Sequence, residues 1–225
     1  MKDIFLLDVD ETLLDFRRGE REQLTRVLTE AGLKVGDEVV SRFHEINDGL
    51  WKRLERGEIT REKLVIERFE QLFRAFGFVA DAKEISRAYV CGMQQAGYPL
   101  EGAIPFLQEL SGHGEIYFVT NGSRDIQRAR LKMSGIAPFA KGVFISQEVG
   151  ADKPSPRYYE YVEAHIKNYA RERAVWVGDS LSSDIACARS ANIDCILYAP
   201  GGAPQGYEGL CAKSYNEILK LILSM

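Results

Sequence analysis

The sequence predicts an α/β protein in which helices cover both faces of a parallel sheet and a further helical segment is inserted. Short apolar runs end at polar or glycine-containing positions and alternate with helical patterns through most of the 225-residue chain. This alternation is typical of an open parallel sheet, whose strands are buried on both faces. One connection, between the first two apolar runs, is far longer than a single crossover needs and has helical periodicity. We therefore expect a Rossmann-like, three-layer core with an all-α cap inserted after its first strand.

The apolar runs that predict the strands share one organisation, because each becomes polar or glycine-rich where it ends. The first run ends at Asp8 and a later one ends at Asp179. The predicted strands cover residues 4–7, 115–120, 142–145, 174–178 and 195–198. Helical patterns lie between them at residues 101–111, 123–134, 156–169 and 181–191. Strands that alternate with helices in this way favour parallel pairing.

Residues 15–97 are predicted to form the cap, a small bundle of helices. Apolar residues recur there at the spacing of an amphipathic helix, as at Leu24, Val27 and Leu28. Gly57 is predicted to end one of these helices, and Thr60 is predicted to be the N-cap of the next. The catalytic core is then expected to comprise residues 1–14 and 98–225.

Composition argues against several classes of function. Apolar residues make up 45% of the chain, which is enough for a sizeable core. The 33 acidic and 29 basic residues leave a net charge of −4, so we expect neither nucleic acid nor an anionic membrane as a partner. The four cysteines form no CxxC pair, and no apolar run has the length of a membrane span or a secretory leader. We expect a cytoplasmic protein, a monomer or homodimer, that acts on a small molecule.

Polar side chains cluster at the predicted strand ends, where parallel sheets bind their ligands. Each of these residues could cap a turn or lie in solvent if it stood alone. Their placement at one edge of one predicted sheet indicates a functional site instead. They are Asp8 and Asp10 after the first strand, Thr120 and Asn121 at the second, Lys153 in the loop after residue 145, and Asp179 and Asp184 after the strand at 174–178.

Clustered carboxylates without a nearby histidine or cysteine favour a hard cation, and Mg²⁺ is the cation that commonly shares its ligands with a phosphate. A metal ion, a lysine and backbone donors together neutralise a phosphoryl group in its transition state. Carboxylates can also act as nucleophiles in such reactions. Asp8 and Asp10 point the same way if the chain stays extended. One could attack while the other protonates the leaving oxygen and later activates water.

These residues resemble the phosphatase branch of the haloacid dehalogenase (HAD) superfamily, whose members can carry an α-helical cap. The resemblance covers nearly the whole chain and rests on four motifs in the family's order. They are Asp8-Val-Asp10-Glu-Thr-Leu, Thr120-Asn121-Gly122, Lys153-Pro154 and Gly178-Asp179-Ser-Leu-Ser-Ser-Asp184.

The resemblance implies roles for the catalytic and phosphate-binding residues. Asp8 would be the nucleophile and Asp10 the general acid and base. Thr120 and the backbone of Asn121 would bind the transferring phosphoryl oxygens. Lys153 would neutralise Asp8 and the phosphate.

The resemblance also implies a Mg²⁺ cofactor. Asp8, Asp179 and the backbone carbonyl of Asp10 would bind the metal. Asp184 would bind it through water or orient Lys153.

A narrower resemblance concerns the substrate. Glu11 replaces the glycine that many family members have there, and Asp-Glu-Thr-Leu is similar to a branch of 5′-nucleotidases acting on pyrimidine nucleoside monophosphates. The segments from Asn47 to Trp51 and from Gly57 to Thr60 also resemble that branch's cap. Asn47 and Trp51, one helical turn apart, are therefore candidate specificity residues. Trp51 either stacks on a nucleobase or packs inside the cap, and the sequence leaves both open.

Several alternatives to a nucleotidase stay open from the sequence. A phosphatase of sugar phosphates or other small metabolites would use the same core residues. A phosphomutase would also need a cap that excludes water. A 2-haloacid dehalogenase is disfavoured by Asp10, because a halide leaves without a proton. A degenerate, non-enzymatic member should have lost at least one catalytic position, and all of them are present.

Overall fold

The computed structural model describes residues 2–225 and contains a six-stranded parallel sheet. β1 is paired with β2 on one side and with β4 on the other. The strands, in sheet order, are β3 (Ala140–Ile145), β2 (Glu115–Thr120), β1 (Ile4–Leu7), β4 (Ala174–Gly178), β5 (Asp194–Tyr198) and β6 (Leu210–Ala212). The strand order reverses between β1 and β4, and such a switch point is where α/β sheets bind ligands.

Helices cover both faces of this sheet, which confirms the predicted three-layer core. Phe5 and Leu7 of β1 pack into one hydrophobic cluster and Leu6 into another, as the period-two alternation of a strand requires. The first face is covered by α5 (Ala103–Leu110), α6 (Arg124–Ser134) and α10 (Tyr215–Leu223). The second face is covered by α8 (Pro156–His165) and α9 (Ala186–Ser190), and a short helix, α7 (Ser146–Val149), follows β3.

Four helices between β1 and β2 form the cap, with a hydrophobic cluster of their own. They are α1 (Phe16–Glu30), α2 (Asp37–Glu55), α3 (Arg61–Phe76) and α4 (Ala82–Met93). The rings of Phe43, Phe69 and Tyr89 meet at centroid distances of 5.1–5.5 Å near the centre of the bundle. Thr60 caps α3 as predicted, since its hydroxyl accepts a hydrogen bond from the Lys63 amide. The domain boundaries at residues 14/15 and 97/98 stay a prediction.

Some elements differ from the sequence prediction. Neither β6 nor α10 is predicted. β6 is a three-residue edge strand with little apolar pattern, whereas the apolar residues of α10 do recur at helical spacing, as at Tyr215, Ile218 and Leu219. α8 ends at His165 instead of residue 169, since Ile166 is extended. Residues 181–185 form a π-helical turn before α9, so the predicted helix at 181–191 is not regular throughout. None of the helices within residues 2–225 has both the length and the hydrophobicity that a bilayer crossing requires.

Candidate active site

A cavity of about 430 Å³ lies between the carboxyl edge of the sheet and the cap. All core residues predicted to act together line it, and so do the two predicted cap residues, Asn47 and Trp51. The core residues are Asp8, Asp10, Thr120, Asn121, Lys153, Asp179 and Asp184. The topology explains their meeting, because β1, β2 and β4 are neighbours and their carboxyl ends share one edge.

Lys153 is buried at the base of this cavity and bridges two carboxylates. Its ammonium donates to Asp8 Oδ1 and to Asp184 Oδ1, both at 2.6 Å, and to the Val119 carbonyl at 3.0 Å. The Asn121 side chain holds the backbone of Lys153 from both sides, accepting from its amide at 2.7 Å and donating to its carbonyl at 2.9 Å. The lysine that the sequence places in a loop is therefore fixed by β2 and by two acidic residues.

Asp184 is held in place by the strand and turn before it. Its carboxylate accepts hydrogen bonds from the Ser180 amide at 3.2 Å and the Trp176 indole at 3.3 Å. Gly178 permits this position, because a Cβ atom there would collide with the Asp184 carboxyl group. The hydrogen bond from Lys153 to Asp184 is the contact that one of the two implied roles, orientation of Lys153, requires.

Asp8, Asp179 and Asp184 bring carboxylate oxygens within 4.8 Å of one another. Burial, and then the charge of Asp184, raise the pKa of Asp8 to about 7. Burial, and then the charge of Asp8, raise the pKa of Asp179 to about 9. Burial disfavours the charge of Lys153, but Asp184 and Asp8 hold its pKa well above the ordinary value. One lysine cannot neutralise three carboxylates, and this excess of negative oxygen donors could hold a hard divalent cation.

Asp10 lies at the same cavity but has different partners. Gln127 of α6 donates to Asp10 Oδ2 at 2.9 Å, and the Arg130 guanidinium pairs with Asp10 Oδ1. Gln127 also donates to the Thr120 hydroxyl at 2.7 Å. The chain turns after Asp10, where Glu11 has a left-handed backbone with φ of 58°. Asp10 is therefore fixed by α6, whereas Asp8 is fixed by Lys153.

The sequence reasoning missed Gln127 and Arg130. Both are almost completely buried, at 1% and 0% exposure. They lie three residues apart and so share one helix face. A signal was present, because a glutamine and an arginine on the buried face of an amphipathic helix need polar partners.

On the cap side of the cavity, several polar side chains are connected in series by hydrogen bonds. Asn47, only 2% exposed, donates to Glu20 at 2.8 Å and accepts from Arg68 at 3.3 Å. The second Glu20 oxygen lies 2.8 Å from Nδ1 of His44, which also lines the cavity. That hydrogen bond raises the pKa of His44. The Asn47 amide is thus engaged within the cap, while Trp51 is half-buried at the cavity wall.

Arg61, at the start of α3, connects the cap to the core. Its guanidinium donates to the Asn121 carbonyl at 3.1 Å and to the Ser146 hydroxyl at 2.9 Å, and it pairs with Asp152 at 2.5 Å. The same guanidinium lies 5.1 Å from the centre of the Trp51 ring. The cap thereby contacts both loops that carry Asn121 and Lys153.

Together these features define a capped α/β protein with a cluster of carboxylates at one edge of a parallel sheet. The chain belongs to the haloacid dehalogenase-like hydrolases, because the sequence model of that family matches residues 2–192. It is similar to the pyrimidine 5′-nucleotidase PynA of Streptococcus pneumoniae, with 36% identity covering 87% of this chain and 83% of that protein. It is also similar to the pyrimidine 5′-nucleotidase YjjG of Escherichia coli, with 29% identity covering 88% and 86%.

A third relative, the HAD-hydrolase YfnB of Bacillus subtilis, has been solved with magnesium bound and shows an interdomain movement. Its sequence is 32% identical over 88% of this chain and 85% of that protein. Its structure superposes with a TM-score of 0.92 over 98% of each chain, at 28% identity. The predicted membership of the family and its fold are both confirmed.

Proposed function

We propose that the protein is a Mg²⁺-dependent phosphomonoester hydrolase that acts through an aspartyl-phosphate on Asp8. The observation that carries the proposal is the bridge that Lys153 makes between Asp8 and Asp184, beside Asp179 and Thr120. This arrangement holds a carboxylate next to a fixed positive charge and to hydroxyl and backbone donors. A phosphoryl group needs those partners as its charge redistributes.

The proposed reaction has two steps. An oxygen of Asp8 attacks phosphorus as the bond to the leaving oxygen breaks, and water then hydrolyses the aspartyl-phosphate. Lys153 neutralises Asp8 and the phosphoryl oxygens, while the Thr120 hydroxyl and the Asn121 backbone amide bind those oxygens. Gln127 contributes by holding the Thr120 hydroxyl at 2.7 Å.

The metal proposal rests on the donor set described above. Asp8, Asp179 and the backbone carbonyl of Asp10 would hold the ion. Asp184 would bind it through water, since both of its oxygens already accept hydrogen bonds. When bound, Mg²⁺ would neutralise the charge that otherwise opposes the approach of a phosphate to these carboxylates.

Asp10 is the proposed general acid and base. It would protonate the leaving oxygen in the first step and accept a proton from water in the second. The hydrogen bonds from Gln127 and Arg130 fix where its carboxylate lies. An acid at this position favours an oxygen leaving group over a halide, so hydrolysis of a phosphoester is preferred to dehalogenation.

For the substrate we propose a pyrimidine nucleoside 5′-monophosphate, supported by the two 5′-nucleotidases among the relatives. The cavity volume of about 430 Å³ suits a small metabolite, and Trp51 at its wall could stack on a base. Asn47 would influence substrate specificity through its hydrogen bonds to Glu20 and Arg68. A sugar-phosphate phosphatase is the second candidate, and a phosphomutase would use the same core.

The four free cysteines support a reducing cytoplasm as the proposed compartment.

The test is an assay of the purified protein on a generic aryl phosphate with Mg²⁺, followed by a panel of nucleoside monophosphates and sugar phosphates. We expect release of phosphate that EDTA abolishes, with the highest kcat/KM on pyrimidine nucleotides. Absence of phosphate release from every ester would overturn the hydrolase proposal. A preference for sugar phosphates would overturn only the substrate.

A further inference from the structure

A second, smaller cavity of about 40 Å³ lies between α3, α4 and α6, behind Asp10. We name it the inner chamber. It shares Asp10, Phe16, Trp51 and Gly122 with the main cavity. The residues that line only the inner chamber include Arg68, Tyr89, Gln127 and Arg130. Its volume corresponds to about three waters or a group of a few heavy atoms.

Two hydrogen-bond donors of the inner chamber lack a protein partner. Within residues 2–225, Tyr89 Oη and Arg130 Nη2 are buried polar atoms without a hydrogen bond. Tyr89 is 1% exposed and Arg130 0%. Buried donors are nearly always paired in folded proteins. Two unpaired donors at one small cavity therefore indicate that an acceptor belongs there.

Arg68 adds a third set of donors to the same chamber. It is 4% exposed and forms no ion pair within the described residues 2–225. Its polar contacts are two long hydrogen bonds of 3.3 Å, to Val65 and Asn47. Its guanidinium also lies over three aromatic rings, 4.6 Å from the centre of Tyr89, 5.4 Å from Phe69 and 5.8 Å from Phe43. Its capacity to donate is therefore only partly used.

The charges around the chamber indicate which kind of acceptor it binds, a neutral group or an anion. Asp10 pairs directly with Arg130. Glu20 balances Arg68 through Asn47, which contacts both. Each arginine thus has a carboxylate nearby, in direct contact for Arg130 and through Asn47 for Arg68, so the chamber does not require an additional anion. A polarised carbonyl oxygen satisfies the donors without adding charge.

We propose that the inner chamber binds a carbonyl group on the leaving group of the substrate, with Tyr89, Arg68 and Arg130 as its donors. The inference rests on the proposed function, because it places the phosphorus at Asp8 and the leaving oxygen at Asp10. Asp10 lines both cavities, so groups attached to the leaving oxygen are those nearest the chamber. The inference adds a structural requirement to the proposed substrate, namely a carbonyl on the leaving group, which a pyrimidine base supplies.

The test compares thymidine 5′-monophosphate with 1,2-dideoxyribose 5-phosphate, a sugar phosphate that has the same ester but neither a base nor an anomeric carbon able to open to an aldehyde. Tyr89→Phe removes one donor and keeps the ring. We expect it to lower the ratio of kcat/KM values, nucleotide over sugar phosphate, by about 2- to 10-fold, the effect of one hydrogen bond. Tyr159→Phe is the matched control, because its buried hydroxyl also lacks a partner within residues 2–225 but lies outside the chamber. Arg68→Lys should lower the same ratio.

Calorimetric binding of thymidine, which needs no turnover, separates this inference from the proposed function. Weaker thymidine binding by Tyr89→Phe than by Tyr159→Phe would support carbonyl binding in the chamber, even if the protein released no phosphate from any ester. If Tyr89→Phe lowered kcat/KM equally on both esters and left thymidine binding unchanged, Tyr89 would have only a structural role and the inference would be overturned. Inhibition by formate that Tyr89→Phe relieves would assign the chamber to a free anion and overturn it as well.

Discussion

Arg61 of the cap lies 2.5 Å from Asp152 of the core, next to Lys153 in the chain. The same arginine contacts the carbonyl of Asn121, whose side chain holds the Lys153 backbone. One cap residue therefore contacts both loops that fix the lysine. The arrangement of the cap and the geometry of the core site are connected through this guanidinium.

Arg61→Ala should lower kcat/KM on an aryl phosphate by about 10- to 100-fold, because hydrogen bonds to a charged group contribute about 1.5–3 kcal/mol. The loss should appear in kcat as well as KM, since the loops position Lys153. Steady-state kinetics would measure it. Arg56→Ala is the control, because Arg56 is exposed and, within residues 2–225, pairs only with Glu58. Equal activity of the two variants would exclude a role for the Arg61 contacts.

Asp8→Asn should abolish turnover, because an amide cannot form the proposed acyl phosphate. The fold should persist, since Lys153 keeps its bond to Asp184. Phosphate release and circular dichroism would measure the two effects. Asp3→Asn changes a carboxylate at the other end of the same strand, paired with Arg173, and should retain activity. Substantial activity of Asp8→Asn would assign the nucleophile elsewhere.

Asp10→Asn should reduce kcat by about 10²–10⁴-fold on alkyl phosphates, whose leaving oxygen needs a proton. The reduction should be much smaller on aryl phosphates with acidic leaving groups. The measurement is a series of esters that differ in leaving-group pKa, assayed on both proteins. A loss of the same size across the series would argue against an acid role for Asp10.

Mg²⁺ should stabilise the protein against heat, because a ligand that binds only the folded state adds about 2.7 kcal/mol at 100 times its Kd. A thermal melt with Mg²⁺ and one with EDTA would show the shift in Tm. Asp179→Asn should remove most of this shift. Asp194→Asn changes an exposed carboxylate that pairs with the buried Lys2, and it should leave the shift intact. A shift that persists in Asp179→Asn would place the cation at another site.

His44 should make stability depend on pH. The Glu20 carboxylate raises its folded pKa above the ordinary value of 6.5, and Arg17 and Asp48 also act on it. A raised pKa means that the protonated form stabilises the fold. This contribution is complete below about pH 6.5 and is lost as pH rises through the higher folded pKa.

The matching experiment is urea unfolding between pH 5.5 and 8.5. His44→Gln should flatten the fall in unfolding free energy with rising pH, relative to the wild type. His113→Gln, at an exposed position, should leave the fall unchanged. Identical pH profiles for wild type and His44→Gln would show that the Glu20 contact does not change the histidine's proton affinity.

Much of the fold was predictable because strand and helix periodicity are local properties. The five strands predicted from apolar runs are all present, with ends that shift by no more than two residues. β6 escaped prediction because an edge strand with Leu210 41% exposed has no buried pattern to reveal it. The break of the helix at 181–191 depends on how Ser180 and Asp184 are held, which periodicity does not show.

The sequence by itself determined the parallel α/β core, the helical insertion and the set of acidic strand ends, because parallel strands bring their carboxyl ends to one edge wherever they lie in the chain. Only the tertiary structure decided which side chains contact the acidic residues at that edge. Asp10 meets Gln127 and Arg130 across more than 110 residues, and Arg61 meets Asp152 across 91. Such contacts depend on how the cap and α6 pack against the sheet edge, and no local pattern specifies that packing.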